Sequence, residues 1–105
     1  MTEKKCVPCE GGTPPLTMEQ VQNYLKKLDG WLLKDNCIKK EYRFKTYMDG
    51  LNFVYAVGQL AEDEGHHPDI FIGYKKVRIA LTTYSIGGLS ENDFILATKI
   101  DEIKF

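Results

Sequence analysis

Two adjacent histidines are the residues of this sequence whose type and placement best suit chemistry. His66 and His67 are the two histidines of the chain, and Pro68 follows them directly. Imidazole has a reference pKa of about 6.5, so the pair can supply an acid, a base or metal ligands at neutral pH. Pro68 restricts His67 to extended backbone and stiffens the loop. Taken alone, such a pair fits solvated loop residues as well as a functional site.

Two carboxylates favour the functional interpretation. Glu62 precedes His66 by four residues, and Asp93 stands at the start of the last predicted helix. Either carboxylate could accept a hydrogen bond from an imidazole and orient it. Asp93 also has a purely structural interpretation, because Ser90 and Asp93 form the pattern of a helix capping box.

The cysteines leave a metal site open as an alternative. Cys6 and Cys9 form a Cys-x-x-Cys motif, and structural zinc takes about four ligands. Cys37 or a histidine would have to complete the set at irregular spacing. We predict an unliganded N-terminal tail and no metal, with a small zinc-binding protein as the alternative. Three cysteines, an odd number, do not make a disulfide framework.

The charge balance argues against several classes of protein. The chain carries 14 basic and 15 acidic side chains, a net charge of −1, whereas nucleic-acid-binding and polybasic membrane-surface proteins normally show a basic surplus. No apolar run approaches the roughly 20 residues that span a bilayer, and no signal-peptide pattern opens the chain. We expect a cytoplasmic protein, small enough to enter the nucleus, with a tail at residues 1–16 and one domain at residues 17–105.

Periodicity predicts the elements that must position these residues. Helices are predicted where a capping pattern precedes an apolar face, and strands where polar and apolar residues alternate. Two hairpins separated by a helix favour an α+β fold, a four-stranded antiparallel sheet with three helices on one face. The predicted order is α-β-β-α-β-β-α, with helices over Thr17–Gly30, Thr46–Gly65 and from Ser90 onward, and strands at 31–35, 37–44, 69–75 and 76–85.

Two features depart from these simple patterns. Lys40 occupies the apolar parity of its strand, between Ile38 and Tyr42. The helix over Thr46–Gly65 is apolar around most of its circumference, although a surface helix usually needs one apolar stripe. Either it is covered on two sides, by its own sheet and by another subunit, or it lies at the centre of its own core.

The region around the histidines resembles the pterin-4a-carbinolamine dehydratase family. The acid, the His-His-Pro run, the aromatic residue and the final Asp match that family in type and spacing, and the similarity covers about residues 17–103. The Cys-x-x-Cys motif also resembles the start of some microbial members. The matching motif runs Ala61-Glu62-x-x-x-His66-His67-Pro68-Asp69, then Tyr74, Leu81-Thr82-Thr83-Tyr84 and Gly88-Leu89-Ser90-x-x-Asp93.

The resemblance implies dehydration of a 4a-hydroxytetrahydropterin to quinonoid dihydropterin and water, in the recycling of tetrahydropterin after aromatic amino-acid hydroxylation. It implies no metal or organic cofactor, and a homodimer or homotetramer. It makes His67 the main proton-transfer group and His66 its partner, with Glu62 and Asp93 as the carboxylates of the catalytic set. The implied substrate-binding set is Gly65, His66, His67, Pro68, Thr82, Thr83, Tyr84 and Ser85.

Tyr84 departs from the family pattern, which usually has His or Trp at that place. Tyrosine keeps a flat ring and a hydroxyl, but its reference pKa of about 10 makes it a poor base at neutral pH. We therefore expect proton removal to depend on His66 and His67, and Tyr84 to bind substrate or act only as an acid. The alternative is an interaction module on the same fold with weakened catalysis. Animal members also act as dimerisation cofactors of a transcription factor, a role not shared across the family, and no direct contact with nucleic acid is implied.

Overall fold

The computed structural model describes residues 14–104 of the chain. Within them the chain order α-β-β-α-β-β-α is confirmed, with a short 3₁₀ turn added at Tyr84–Ile86. The helices are α1 (Met18–Leu25), α2 (Tyr47–Glu64) and α3 (Glu91–Asp101), and the strands are β1 (Leu32–Lys34), β2 (Cys37–Arg43), β3 (Asp69–Gly73) and β4 (Lys76–Leu81).

The four strands form one antiparallel sheet in the order β1-β2-β4-β3. β2 and β4 pair in its centre, with Ile38 opposite Leu81 and Tyr42 opposite Val77. Side chains alternate between the two faces of a sheet, so this register sends the apolar residues of both strands to one face. The opposite face carries the polar set of β2 and β4 and stays open to water, as the alternation in β2 predicts.

The helices cover the apolar face of the sheet. Phe53 and Val57 of α2 and Phe94 of α3 are fully buried, and the ring of Phe53 lies 4.7 Å from that of Tyr42 between centroids. From α1, Tyr24 stacks on Phe94 at 4.9 Å. The hydrophobic core therefore lies between the helices and the sheet, and the predicted α+β fold is confirmed.

The predicted cap and turn residues adopt the conformations that their types favour. Gln20 donates its backbone N–H to the Thr17 hydroxyl at 3.2 Å, and its side-chain oxygen accepts from the Thr17 N–H at 2.9 Å, which completes the predicted capping box. Asp35 and Asn36 have φ angles of 52° and 61°, the left-handed conformation of a two-residue hairpin turn. Gly65 ends α2 with φ 67°, as expected of a helix C-terminus.

The prediction of the first helix is wrong at its C-terminal end. α1 stops at Leu25, five residues before Gly30. After it, the N–H groups of Lys27 and Leu28 bond to carbonyls three residues back, the tighter pattern in which helices often end. Leu28 still packs against the core. The apolar spacing therefore indicated correctly that Leu28 is buried, although the residue does not lie in a helix.

The strand predicted to reach Ser85 ends at Leu81. Thr83 still points inward but pairs with Gly88 in an isolated bridge. The chain reverses between these two residues through the 3₁₀ turn and Gly87, whose φ is 67°, a conformation that favours glycine. This reversal, rather than a continued strand, brings Thr83 close to the start of α3.

Lys40 breaks the alternation of β2 because a carboxylate lies on the inner side. Its Nζ donates to Asp101 Oδ1 and to the carbonyl of Asp29, both at 2.8 Å. Asp101 also accepts from Trp31 Nε1 at 2.9 Å and from the Tyr42 hydroxyl. The C-terminal end of α3 is thus fixed to the sheet by a polar cluster.

α2 is covered by its own chain on one face. Phe53, Val57 and Ala61 are buried, whereas Tyr55 is 70% exposed. The helix is therefore not at the centre of its own core, and the second face stays uncovered by the described part of the chain. Among the helices of residues 14–104, none is long and apolar enough to cross a bilayer.

Candidate active site

The histidine pair lies at the junction between α2 and β3. Gly65 terminates α2, and the His66 N–H still donates to the carbonyl of Ala61 at 3.2 Å. Pro68 then leads directly into β3 at Asp69. The two histidines therefore occupy a short segment whose two ends are held by regular structure.

A buried carboxylate holds His66. The His66 Nε2 lies 2.6 Å from Asp93 Oδ1; the imidazole is 12% exposed and the Asp93 side chain 0%. When the carboxylate accepts from Nε2–H, it fixes the tautomer and plane of the ring and leaves Nδ1 as the second nitrogen. The arrangement therefore presents one defined nitrogen of His66 for other partners.

Asp93 is fixed in turn by Thr83 and Ser90. Its Oδ2 accepts from the Thr83 hydroxyl at 2.8 Å and from the Ser90 N–H at 2.9 Å. The hydroxyl groups of Thr83 and Ser90 lie 2.7 Å apart. The Ser90 contact belongs to the predicted capping box of α3. One carboxylate therefore caps the helix with one oxygen and meets His66 with the other, so the structural and functional interpretations of Asp93 are compatible.

An exposed carboxylate pairs with His67. The His67 Nε2 lies 2.6 Å from Glu62 Oε2, and their side chains are 61% and 77% exposed. Glu62 lies in the last turn of α2. Its side chain points towards water, and from there its carboxylate reaches His67. Adjacent residues thus carry two imidazole–carboxylate pairs, one buried and the other accessible, and imidazole is the side chain most often used in general acid–base catalysis.

Tyr84 is joined to Asp69, the first residue of β3. The phenol donates to Asp69 Oδ2 at 2.7 Å, and the ring is 73% exposed. The hydrogen bond to Asp69, with the charge of that carboxylate, raises the pKa of Tyr84 above its ordinary value. Tyr84 is therefore a neutral phenol at physiological pH, which agrees with its expected unsuitability as a base.

The remaining predicted binding residues lie around these pairs. Gly65 and Pro68 flank the histidines, and Thr83 reaches the site through Asp93. The Thr82 hydroxyl donates its proton to the carbonyl of Asn36 at 2.8 Å, which lies outside the site. Ser85 lies exposed in the 3₁₀ turn. The structure thus gathers the predicted set at one end of the sheet, with Thr82 directed to the β1–β2 turn.

An open groove of about 720 Å³ runs beside the site between α2 and β3. Glu62, the carboxylate partner of His67, also lines this groove. The groove extends from there along the uncovered face of α2. It is lined by Val54, Tyr55, Gly58, Gln59, Glu62, Asp63 and Ile70.

Sequence reasoning missed two supporting contacts. Asp69 gave no signal beyond its place after Pro68, because its partner lies 15 residues away. The Lys99 ammonium bonds to Glu64 Oε2 at 2.7 Å, with side chains 15% and 7% exposed. This ion pair ties the end of α2 to α3, the two helices that supply the segments of His66 and Asp93. Neither pairing has a periodicity that would reveal it.

The zinc alternative is not tested by the structure. Cys6 and Cys9 lie outside the described residues, and Cys37 is a free, half-buried thiol. Within residues 14–104, no three His, Cys, Asp or Glu side chains are grouped as a metal site would require.

Comparison with known proteins points to one family. The family model described as pterin 4 alpha carbinolamine dehydratase matches residues 14–103. A protein of Nitrosomonas eutropha named as a candidate pterin-4-alpha-carbinolamine dehydratase is 50% identical, over 96% of this chain and 90% of its own length. One of Alkaliphilus metalliredigens with the same name is 43% identical, over 97% and 94%.

Two solved structures share the fold. A transcriptional coactivator/pterin dehydratase from Brucella melitensis superposes with a TM-score of 0.79 and 31% identity, over 83% of this chain and 95% of that one. A pterin dehydratase-like protein identified as a RuBisCO assembly factor of the alpha-carboxysome gives a TM-score of 0.57 and 28% identity, over 68% and 82%.

Fold and site together define a small α+β domain that carries paired imidazoles and carboxylates at one end of its sheet. The family model matches nearly all of the described residues, and a relative is 50% identical in sequence. The protein therefore belongs to the pterin-4-alpha-carbinolamine dehydratase family.

Proposed function

We propose that this protein dehydrates a 4a-hydroxytetrahydropterin to quinonoid dihydropterin and water, in the recycling of tetrahydropterin in the cytoplasm. The observation that carries the proposal is the presence of two adjacent imidazoles, each within 2.6 Å of a different carboxylate. Dehydration of a carbinolamine needs one group that gives a proton and one that takes a proton, and adjacent histidines supply both in a single segment.

The reaction breaks the bond between C4a and its hydroxyl oxygen. The hydroxyl receives a proton and leaves as water, while the lone pair of the neighbouring ring nitrogen forms a double bond to C4a. That nitrogen then loses its proton, so atoms and charge balance. Each positioned acid or base contributes about 10²–10⁴-fold to such a rate.

The two histidines differ in accessibility, which supports different roles. His67 is largely exposed and its carboxylate partner is exposed too, so we assign proton transfer with the substrate to His67 and ring orientation to Glu62. His66 is nearly buried against Asp93, so we assign it to binding and to the second proton position. Asp93 keeps His66 in place, and the segment from Thr82 to Ser85 supplies the opposite wall of the pterin pocket.

Rapid mixing with a 4a-hydroxytetrahydropterin generated in situ tests this function. The protein at neutral pH should accelerate the loss of carbinolamine absorbance above the spontaneous rate, and the rate should saturate with substrate. A Lys27→Ala variant, changed at an exposed residue after α1, should match the unaltered protein. A rate equal to the spontaneous one would rule out the enzymatic function.

An interaction module is the second candidate, and exposed apolar residues favour it. Five large apolar side chains along the start and outer face of α2 and the β3–β4 hairpin are 42–73% exposed, and contiguous exposed apolar surface marks protein interfaces. We propose that this surface forms a homodimer or homotetramer. The five are Tyr47, Met48, Tyr55, Ile72 and Tyr74.

Light scattering during size-exclusion chromatography tests the oligomer. We expect a mass of two or four chains, and Tyr55→Lys should shift it towards one chain. Lys27→Ala on the segment after α1 is the control with an exposed residue far from this surface in the sequence. A protein that is monomeric at micromolar concentration would contradict both the oligomer and the interaction-module function. The dehydration assay tests the enzymatic function separately.

A further inference from the structure

Two side-chain bridges connect the histidine segment to the segment that follows β4. The first is His66–Asp93, and the second is the hydrogen bond from the Tyr84 hydroxyl to Asp69 Oδ2 at 2.7 Å. Thr83, next to Tyr84 in the chain, is bonded to Asp93. His67 therefore lies on a segment that is tied at both sides to the opposite wall of the site.

The direction of the second bridge determines what Tyr84 can offer a ligand. A phenol has one proton and accepting lone pairs. That proton is donated to Asp69, a carboxylate that accepts and cannot donate. The lone pairs of the Tyr84 oxygen remain, so Tyr84 can accept a hydrogen bond but has no second proton to give. The raised pKa of Tyr84 is consistent with this, because the hydrogen bond to Asp69 stabilises the neutral phenol.

We propose that Asp69 is a positioning residue that engages the Tyr84 proton, so that Tyr84 meets the substrate as a hydrogen-bond acceptor for an N–H or amino group of the pterin ring. This rests on the proposed function and makes it more specific. Tyr84 then contributes to substrate binding and orientation, and transfers no proton. The expectation that Tyr84 could act as an acid is replaced by an acceptor role.

The proposal predicts a change in KM rather than in kcat. Asp69→Ala frees the Tyr84 hydroxyl to rotate and to donate to water, so KM should rise about threefold to tenfold, the effect of one ordinary hydrogen bond. The kcat should stay within about twofold, because the histidines are untouched. Asp69→Asn keeps an acceptor oxygen at the same place and should recover most of the affinity.

A double-mutant cycle separates action through Tyr84 from a structural effect of Asp69. In a Tyr84→Phe background, Asp69→Ala should add little further change in KM, because the group that it positions is gone. The dissociation constant of a stable 7,8-dihydropterin, measured by fluorescence, should follow the same pattern without turnover. Tyrosinate absorbance, compared with the Tyr84→Phe protein, should show a lower pKa for Tyr84 in Asp69→Ala.

Glu102→Ala is the matched control. Glu102 is an exposed carboxylate at the opposite end of α3 from Asp93, about 14 Å away along the helix, and its loss should leave KM unchanged. Equal KM changes from Asp69→Ala in both backgrounds, or an unchanged KM, would overturn the positioning role. An unaltered protein that neither dehydrates the carbinolamine nor binds the dihydropterin would instead overturn the proposed function itself.

Discussion

The imidazole of His66 and the carboxylate of Asp93 meet at 2.6 Å although 27 residues separate them in the chain. Asp93 is fully buried and also accepts from Thr83 and Ser90. A buried carboxylate is stable when hydrogen bonds satisfy its oxygens. The same side chain therefore stabilises the start of α3 and orients an imidazole, so stability and site geometry are linked at this residue.

Replacement of Asp93 should reduce both stability and activity. In Asp93→Asn, one accepting oxygen becomes an amino group that faces either His66 or the Thr83 and Ser90 donors, leaving buried donors unpaired. We expect a loss of about 2–3 kcal/mol in the free energy of unfolding, measured by urea denaturation. Glu102→Gln should change it by less than about 0.5 kcal/mol. An Asp93→Asn variant as stable as the original protein would show that the network is dispensable.

His67 and Tyr84 should differ sharply when each is truncated. His67→Ala removes the accessible proton-transfer group and should lower kcat about 10²–10⁴-fold. Tyr84→Phe removes one hydrogen bond and should lower kcat/KM less than about tenfold. Steady-state and rapid-mixing kinetics measure both, with Lys27→Ala as the control for loss of an exposed side chain outside the site. Similar losses in the two variants would contradict the assignment of roles.

The Lys99–Glu64 ion pair should stabilise the junction that carries His66. Both side chains are mostly buried, and removal of one partner leaves the other charge in a poorly solvated place. Lys99→Met should destabilise the fold by about 3 kcal/mol, and Glu64→Gln in the same chain should recover part of the loss. Chemical denaturation of the two single variants and the double variant measures the coupling. Additive losses would mean that the two side chains do not interact.

Tyr42 should make the protein less stable at alkaline pH. Burial, followed by the hydrogen bond to Asp101, raises the pKa of Tyr42 above its ordinary value. The folded state therefore keeps the proton that the unfolded state releases above about pH 10. The contribution is fully present below that pH and declines as pH rises further. Urea midpoints from pH 8 to 11 should fall less steeply for Tyr42→Phe than for Tyr47→Phe, and equal slopes would refute the link.

The sequence predicted those parts of the fold that local chemistry determines. Thr17 with Gln20, the Asp35-Asn36 turn and Gly65 each carry a conformational preference within a few residues. Alternation in β2 and β4 determined which face is buried. These local predictions were confirmed, whereas the prediction that the first helix extends to Gly30 was wrong, because α1 ends at Leu25.

Features that depend on distant contacts could not be predicted. The early end of β4 follows from the reversal that pairs Thr83 with Gly88, and the inward Lys40 follows from Asp101, 61 residues away. The type and spacing of His66, His67, Glu62 and Asp93 indicated a site. Which acid meets which imidazole needed the tertiary structure, as did the pairing of Asp69 with Tyr84.

One rate constant tests most directly whether the adjacent histidines catalyse the dehydration of a pterin carbinolamine. The first-order decay of 4a-hydroxytetrahydropterin should be compared for the unaltered protein, for the His66→Ala/His67→Ala double variant and for buffer alone. We predict that the unaltered protein accelerates this decay. The double variant should still fold, and the decay in its presence should proceed at the spontaneous rate. A double variant as fast as the unaltered protein, or an unaltered protein no faster than buffer, would contradict the claim.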